Sequence, residues 1–416
     1  MDKTVVASPL KGTLHVIASK SQTHRALIAA ALAPGESTVS KPLDSEDIYA
    51  TKTALTQMGA QFNANHIVGG LKVHAPLNIN AKASGSTLRF MIPIALLFDQ
   101  LITIKGEGRL PKRPLDVYED NFSSIVHYEY LTSDYLPLAL KGPLTPGVYS
   151  CAGNISSQFI TGLLFALPLL DGDSEIRLTS PLESVGYVNM TIDTLKAFGI
   201  NISNHSNRYI IKGNQTYHPT TFTVEGDYSQ AAFFMVAGVL NGDIKLKNLS
   251  LDSLQGDKAI VDLLRSMGAD IRYEDDGKTF HVRTSQLKGT NIDLTDIPDL
   301  GPILMILAAA IPDKSTFKGL NRLQYKESNR LKTMIDIVNQ LGAKARLIDD
   351  SLTIEGVSAF EGGQAFLTHD DHRLAMALSV ASLKAKQPIT IKGAECVKKS
   401  YPNFFNDFAA LGGTFH

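Results

Sequence analysis

Two cysteines, Cys151 and Cys396, are the whole thiol complement of the 416-residue chain, and they form no CxxC pair. That excludes a disulfide framework and a zinc site, and it fits a reducing cytoplasm. Excess charge is lacking too: 40 basic against 41 acidic residues leave a net charge of −1. A nucleic-acid or membrane-surface footprint needs a basic excess, so any cationic site is local and built for a small anion. The longest apolar runs, FITGLLFALPLL and GPILMILAAAIP, are short and contain proline, as buried helices do and membrane spans do not. The opening MDKTVVASPLKG has no signal-peptide apolar core. No GxxxxGK[ST] or GxGxxG loop supports nucleotide binding, and no GxSxG elbow or Cys/His pair supports a covalent nucleophile.

What is present describes a soluble, enzyme-sized protein: 44% hydrophobic and 19% charged residues, in a chain too long for one ordinary core. Two domains or more are expected. Helical runs that end in glycine and lead into a strand-like stretch recur as ALTQMGAQF, TLKAFGINI, LLRSMGADIRY, IVNQLGAKARL and FAALGGTF. Their glycines are Gly59, Gly199, Gly268, Gly342 and Gly412. One period of about 70 residues accommodates them if a sixth, degenerate copy lies near residue 129, inside SSIVHYEYL. Six units then fill the chain, each alternating helices with short β-rich runs, which means an α/β fold with helices covering sheets.

Polar clusters sit on those units. Ser19, Lys20, Ser21, Thr23, His24 and Arg25 precede the apolar run ALIAAALA, so hydroxyls and cations crowd a helix start where backbone N–H groups also point outward. SGSTLRFM repeats the arrangement, with Gly85 allowing close approach and Arg89 one turn in, and Ser156, Ser157 and Gln158 open the next such helix. Further charges fall at unit edges: Arg109 and Arg113, Asp296 and Asp299, Asp371, His372 and Arg373, Lys398 and Lys399. HDDHR has His369 and His372 three apart, yet no third ligand cluster has metal spacing and Arg373 would repel a cation. In LQYKESNRLKTMIDIVNQLGAK, Lys326, Glu327 and Arg330 are expected in the first turn of a helix. There, cations are unfavourable. Either they form a solvated surface cluster or an anion belongs there.

KSQTHRALIAAAL, SGSTLRF, GRLPKRP, SSQF, GDYSQAAFF, SLQGD, IPD, KESNRLKTM, DDHRLAMAL and KKSYPNFF resemble, in the same order, the motifs of the 5-enolpyruvylshikimate-3-phosphate synthase family. The likeness runs from about residue 19 to 405. It implies a two-domain inside-out α/β prism with three units per domain, residues 1–18 and 226–416 forming one domain and 19–225 the other, closing over substrate. The implied reaction transfers the enolpyruvyl group of phosphoenolpyruvate to the 5-hydroxyl of shikimate-3-phosphate. The resemblance implies no metal, no cofactor, no nucleic-acid or membrane partner, and a cytoplasmic monomer.

By match to the family motifs, Lys20, Ser21, Arg25, Ser156, Ser157, Gln158, Ser184, Tyr187, Asp299, Arg322 and Lys326 would hold shikimate-3-phosphate. Lys20, Gly85, Arg109, Gln158, Arg330, Arg373 and Lys399 would hold phosphoenolpyruvate. Glu327 would carry the proton for the methylene carbon, with Asp299 or Lys20 handling that of the 5-hydroxyl. The chain departs from the family pattern at Ala83, at Val185 and Gly186, and at Arg322, Gln324 and Asn329. The alternatives are the related transferase acting on UDP-N-acetylglucosamine, whose Lys-Asn pair is Lys20-Ser21 here, and a non-catalytic anion-binding paralogue.

Overall fold

The computed structural model describes residues 1–274 and 276–416. The chain divides into two compact units, one made of Met1–Ile17 with Glu225–His416 and the other of Ala18–Val224. Among the described residues each unit contains three four-stranded sheets of one topology. In the sheet of Val148–Cys151, Ser174–Leu178, Arg208–Ile211 and Ile202–His205, the first pair is parallel and the other two pairings are antiparallel. The same pattern recurs in the sheet of Asn291–Asp293, Lys314–Lys318, Ser351–Glu355 and Lys344–Ile348. A parallel pair needs a crossover, and a buried helix supplies it; the antiparallel pairs close the repeat.

The repeat holds two kinds of helix, and composition decides which is which. Gly301–Ala309, GPILMILAA, is apolar all round and every residue is buried. Lys20–Leu32, Gly85–Ala95, Ser157–Ala166, Tyr228–Asn241 and His372–Ala381 are likewise buried along most of their length. By contrast, Ala259–Ser266 buries only Ile260, Val261 and Leu264, the stripe of an amphipathic surface helix. The amphipathic helices end at the periodic glycines. Gly59, Gly199, Gly268, Gly342 and Gly412 all have positive φ, between 84° and 107°, the conformation that stops a helix and favours glycine.

The sixth copy lies earlier than expected. Helix Asp116–Phe122 ends at Ser123 with φ −58°, and residue 129 belongs to strand His127–Tyr130. No glycine marks this end. Aromatic packing secures it instead: Tyr118 stacks on Phe122 with ring centroids 5.2 Å apart, and Phe122 meets Tyr149 at 6.1 Å.

Within each unit, hydrogen bonds tie the N-terminal turns of the buried helices together. Arg89 and Ser86 of Gly85–Ala95 both bond Gln158 of Ser157–Ala166, and Arg373 of His372–Ala381 reaches Ser229 of Tyr228–Asn241. Two helix N-termini are thus joined through polar side chains in each unit. Among the described residues no helix is long and apolar enough to cross a membrane.

Candidate active site

In the unit that ends at His416, the charged cluster is assembled by short local devices. Asn329 caps helix Arg330–Gln340, its side chain accepting from the Lys332 N–H, so the helix begins at Arg330. Lys326 and Glu327 therefore precede the helix, after the 3-10 turn Asn321–Tyr325, instead of lying in its first turn. The like-charge penalty foreseen for Lys326 and Arg330 does not arise, and Asn329 performs the cap that an aspartate there would perform. Asp371 caps His372–Ala381 by accepting from the Arg373 N–H. Asp299 sits in the 3-10 turn Pro298–Leu300 that leads into Gly301–Ala309.

The cations in this unit are held by carboxylates. Arg330, 1% exposed, donates Nε to Asp371 at 2.8 Å, Nη1 to Asp299 at 3.0 Å and Nη2 to Glu327 at 2.6 Å. Lys326 reaches Asp299 at 3.1 Å, and Arg373 reaches the same carboxylate at 3.2 Å. Lys399 bonds Asp370 at 2.5 Å. A solvated surface cluster is excluded by this burial. So is the strong mutual repulsion that bare cations would produce, since each has an anionic neighbour. Burial alone would raise the Asp299 carboxyl, but Arg373, Lys326 and Arg330 outweigh it and hold it well below the usual range. Burial pulls Lys326 down to about 8 against the opposing charge of Asp299, with Arg322 and Arg330 reinforcing the fall. Burial would also lower Arg330; Asp371, Glu327 and Asp299 push it above its ordinary value.

In the unit Ala18–Val224, serines open the buried helices. Ser19, Ser84 and Ser156 accept from the N–H groups of Gln22, Thr87 and Gln158. Neutral caps leave the positive helix ends uncancelled. Lys20 pairs with Asp47 at 2.6 Å. Ser157 is buried beside Ser156, and Gln158 is held between Arg89 at 2.8 Å and Ser86 at 2.9 Å. Arginine has donors only, so Arg89 turns the Gln158 carbonyl toward itself and the amide N–H₂ toward Ser86. Ser184 is buried in the left-handed region, at φ 56°, ahead of helix Val185–Ala197. A non-glycine residue is strained there, and such strain concentrates at functional positions.

Two expected ligands are placed differently. Arg25 is 3% exposed and is used inside the fold: it donates to Thr191 at 2.8 Å, to the Ser21 carbonyl at 2.7 Å and to the Tyr187 carbonyl at 3.0 Å. It ties Ser21 and Tyr187 to the core. Arg109 is exposed, and the guanidinium groups beside Gly85 are those of Arg113 and Arg89: a Cβ at Gly85 would lie 2.8 Å from Arg113 Nη1 and 3.2 Å from Arg89 Nη1. Sequence reading assigns no role to Asp370, Asp47 or Ser229, and it singles out Asp371 only as an edge charge with no role. Its signal was its position as a cap, one residue before a buried helix.

A model of the family described as EPSP synthase (3-phosphoshikimate 1-carboxyvinyltransferase) matches residues 6–408. The chain is 44% identical to the 3-phosphoshikimate 1-carboxyvinyltransferase of Clostridium acetobutylicum, over 98% of this chain and 96% of that protein. It is 42% identical to the Clostridioides difficile protein of the same name, over 98% and 97%. Its fold matches the structure of EPSP synthase from Acinetobacter baumannii with a TM-score of 0.83 at 26% identity, covering 100% of this chain and 99% of that one. The enolpyruvyl transferase NikO from Streptomyces tendae shares the fold, with a TM-score of 0.79 at 16% identity.

Proposed function

Since the chain belongs to the EPSP synthase (3-phosphoshikimate 1-carboxyvinyltransferase) family, we propose that its two polar clusters hold the two anionic substrates. The reaction transfers the enolpyruvyl group of phosphoenolpyruvate to the 5-hydroxyl of shikimate-3-phosphate and releases phosphate, a step of aromatic amino-acid biosynthesis. The shikimate phosphate is taken by Ser156 and Ser157 at a helix N-terminus, with Ser184 and Lys326. Ser21, Gln158, Tyr187, Asp299 and Arg322 place the ring, and Arg25 acts from behind by fixing Ser21 and Tyr187. Phosphoenolpyruvate is taken by Lys20, Gly85, Arg113, Gln158, Arg330, Arg373 and Lys399; we put Arg113 in the place of Arg109 because its guanidinium, next to that of Arg89, packs on Gly85. Guanidinium forks suit carboxylate and phosphate alike.

The observation that carries this reading is the Arg330 centre, one buried guanidinium bonded to Asp371, Asp299 and Glu327. Three carboxylates around one side chain are more than packing requires, and each can release a donor to an incoming anion. Asp299 gains most from the exchange. Once substrate oxygens occupy Lys326, Arg330 and Arg373, the burial that raises its carboxyl is less opposed, so Asp299 becomes a stronger base for the 5-hydroxyl proton. Lys20, paired with Asp47, is the other candidate for that proton. Glu327, 2.6 Å from Arg330, carries the proton to the methylene carbon. Two buried, unpaired cysteines suit a cytoplasmic setting, and we read the working form as a monomer.

Glu327→Gln keeps size and hydrogen bonding and cannot deliver the proton, so kcat should fall about 10²–10⁴-fold with shikimate-3-phosphate affinity nearly unchanged. Steady-state kinetics with calorimetric binding measures both. Normal turnover would move the proton to another group, Asp299 first.

A further inference from the structure

A buried chain of side chains in the unit Ala18–Val224 is used by none of the roles above. His24 lies on the inner face of helix Lys20–Leu32 and is 0% exposed. Its Nδ1 is 2.8 Å from Thr51 Oγ1 on helix Glu46–Gln57. Thr51 Oγ1 is 2.7 Å from Thr87 Oγ1, and Thr87 Oγ1 is 2.8 Å from Ser84 Oγ. Ser84 is the N-cap of helix Gly85–Ala95 and also accepts the Thr87 N–H at 3.2 Å. A weaker branch runs from Thr87 Oγ1 to the carbonyl of Asp47 at 3.4 Å, and Asp47 holds Lys20. Thr51, Thr87 and Ser84 are at most 1% exposed, so solvent cannot replace any link.

We propose that His24 is a positioning residue for phosphoenolpyruvate, setting through Thr51 and Thr87 the cap at Ser84 and with it the Gly85 turn on which Arg113 packs. The inference rests on the assignment of that turn to phosphoenolpyruvate. Each hydroxyl has one hydrogen, so the chain has a sense. In one sense the imidazole Nδ1–H donates to Thr51, Thr51 to Thr87 and Thr87 to Ser84, whose oxygen then receives both the N–H and the O–H of Thr87. In the other sense Nδ1 accepts, and the hydrogen sits on Nε2, which is buried and meets no hydrogen-bond partner among the described residues. An orphaned buried N–H is the costlier defect, so the first sense holds. The imidazole stays neutral, because burial and then the charges of Lys20 and Arg25 hold it well below its ordinary value.

His24→Leu cuts the chain at its origin and Thr51→Val cuts it at its middle with almost no change of shape. Each should raise KM for phosphoenolpyruvate about 3- to 10-fold, the size of one buried hydrogen bond, and leave KM for shikimate-3-phosphate within about twofold. The double variant should be no worse than the poorer single, since both cut one chain. His24→Asn, whose amide N–H reaches the same place as Nδ1–H, should restore KM to within about twofold of the parent. An unchanged KM for phosphoenolpyruvate in either folded variant overturns the proposal, as does an equal rise for both substrates or a multiplicative double. Thr51→Val decides if His24→Leu does not fold. Arg113→Lys, measured alongside, tests the site itself: if only Arg113→Lys raises KM, the relay fails and the site stands. If only the relay variants do, the relay stands and the ligand role of Arg113 fails.

Discussion

Arg25 and Arg330 are equally buried, one in each unit, and their surroundings are opposite. Arg25 bonds Thr191, Thr161 and the carbonyls of Ser21 and Tyr187, all neutral oxygens, and burial pulls it down to about 10. Arg330 bonds three carboxylates, which push it above its ordinary value. The helix caps follow the same division. Ser19, Ser84 and Ser156 open buried helices in one unit, whereas Asp227 and Asp371 cap two in the other and Asp299 precedes the third. Neutral caps leave standing positive potential for an anion, and aspartate caps cancel it until a ligand trades places with them. One unit is therefore arranged to attract and the other to exchange.

Replacing each arginine with methionine breaks the comparison at its strongest point. Arg330→Met takes the guanidinium from Asp371 and Glu327 and leaves Asp299 with Lys326 and Arg373 alone, and should cost about 3–5 kcal/mol of stability, with turnover lost. Arg25→Met removes a buried charge whose bonds go to neutral oxygens, so its loss should stay at about 1–2 kcal/mol, the cost of hydroxyls and carbonyls left unmet. Urea denaturation of both variants measures the gap. Similar losses would mean that the carboxylates at Arg330 contribute nothing specific.

A pH titration sharpens the contrast, because burial pulls Lys326 down to about 8 while Arg25, at about 10, stays charged. The protonated ammonium binds the phosphate, so shikimate-3-phosphate affinity should drop about fivefold between pH 8 and pH 9. Lys326→Arg should flatten that slope. Folding has the opposite sign: Lys326 is lowered in the folded state, so its contribution to stability rises with pH between about 8 and its ordinary value near 10.5. Calorimetric titration over that range reads the binding arm.

The smallest effect concerns simple anions. Since the cations around Asp299 already have carboxylate partners, inorganic phosphate should raise the Tm by only about 2 °C or less. Asp299→Asn removes a shared counter-charge and should enlarge that shift. Scanning calorimetry with and without phosphate decides it, and a large shift in the parent would show that the carboxylates do not compete.

Much of this was legible residue by residue. The motif order carried Lys20, Ser156, Ser157, Gln158, Lys326, Glu327, Arg330, Arg373 and Lys399 to positions where the structure finds helix starts or the ionic cluster. GRLPKRP holds two arginines, and nothing in linear spacing tells which one faces Gly85; the motif match gave Arg109, and the guanidinium of Arg113 lies there. Arg25 shows the limit of linear spacing: a guanidinium near a helix start reads as a ligand, and its contacts with Thr191, 166 positions away, add a bracing part that only the folded chain displays.

The repeat, the α/β class and the division into buried and amphipathic helices are local chemistry. A glycine ends a helix through its own φ, and an apolar run is buried because of its own composition, so neither needs knowledge of a distant partner. The charge pairing is different in kind. Lys326 and Arg330 look like a repelling pair along the chain, and Asp299 and Asp371 neutralise them from 27 and 41 positions away. A Coulomb interaction depends on distance and burial, and only the folded chain sets those.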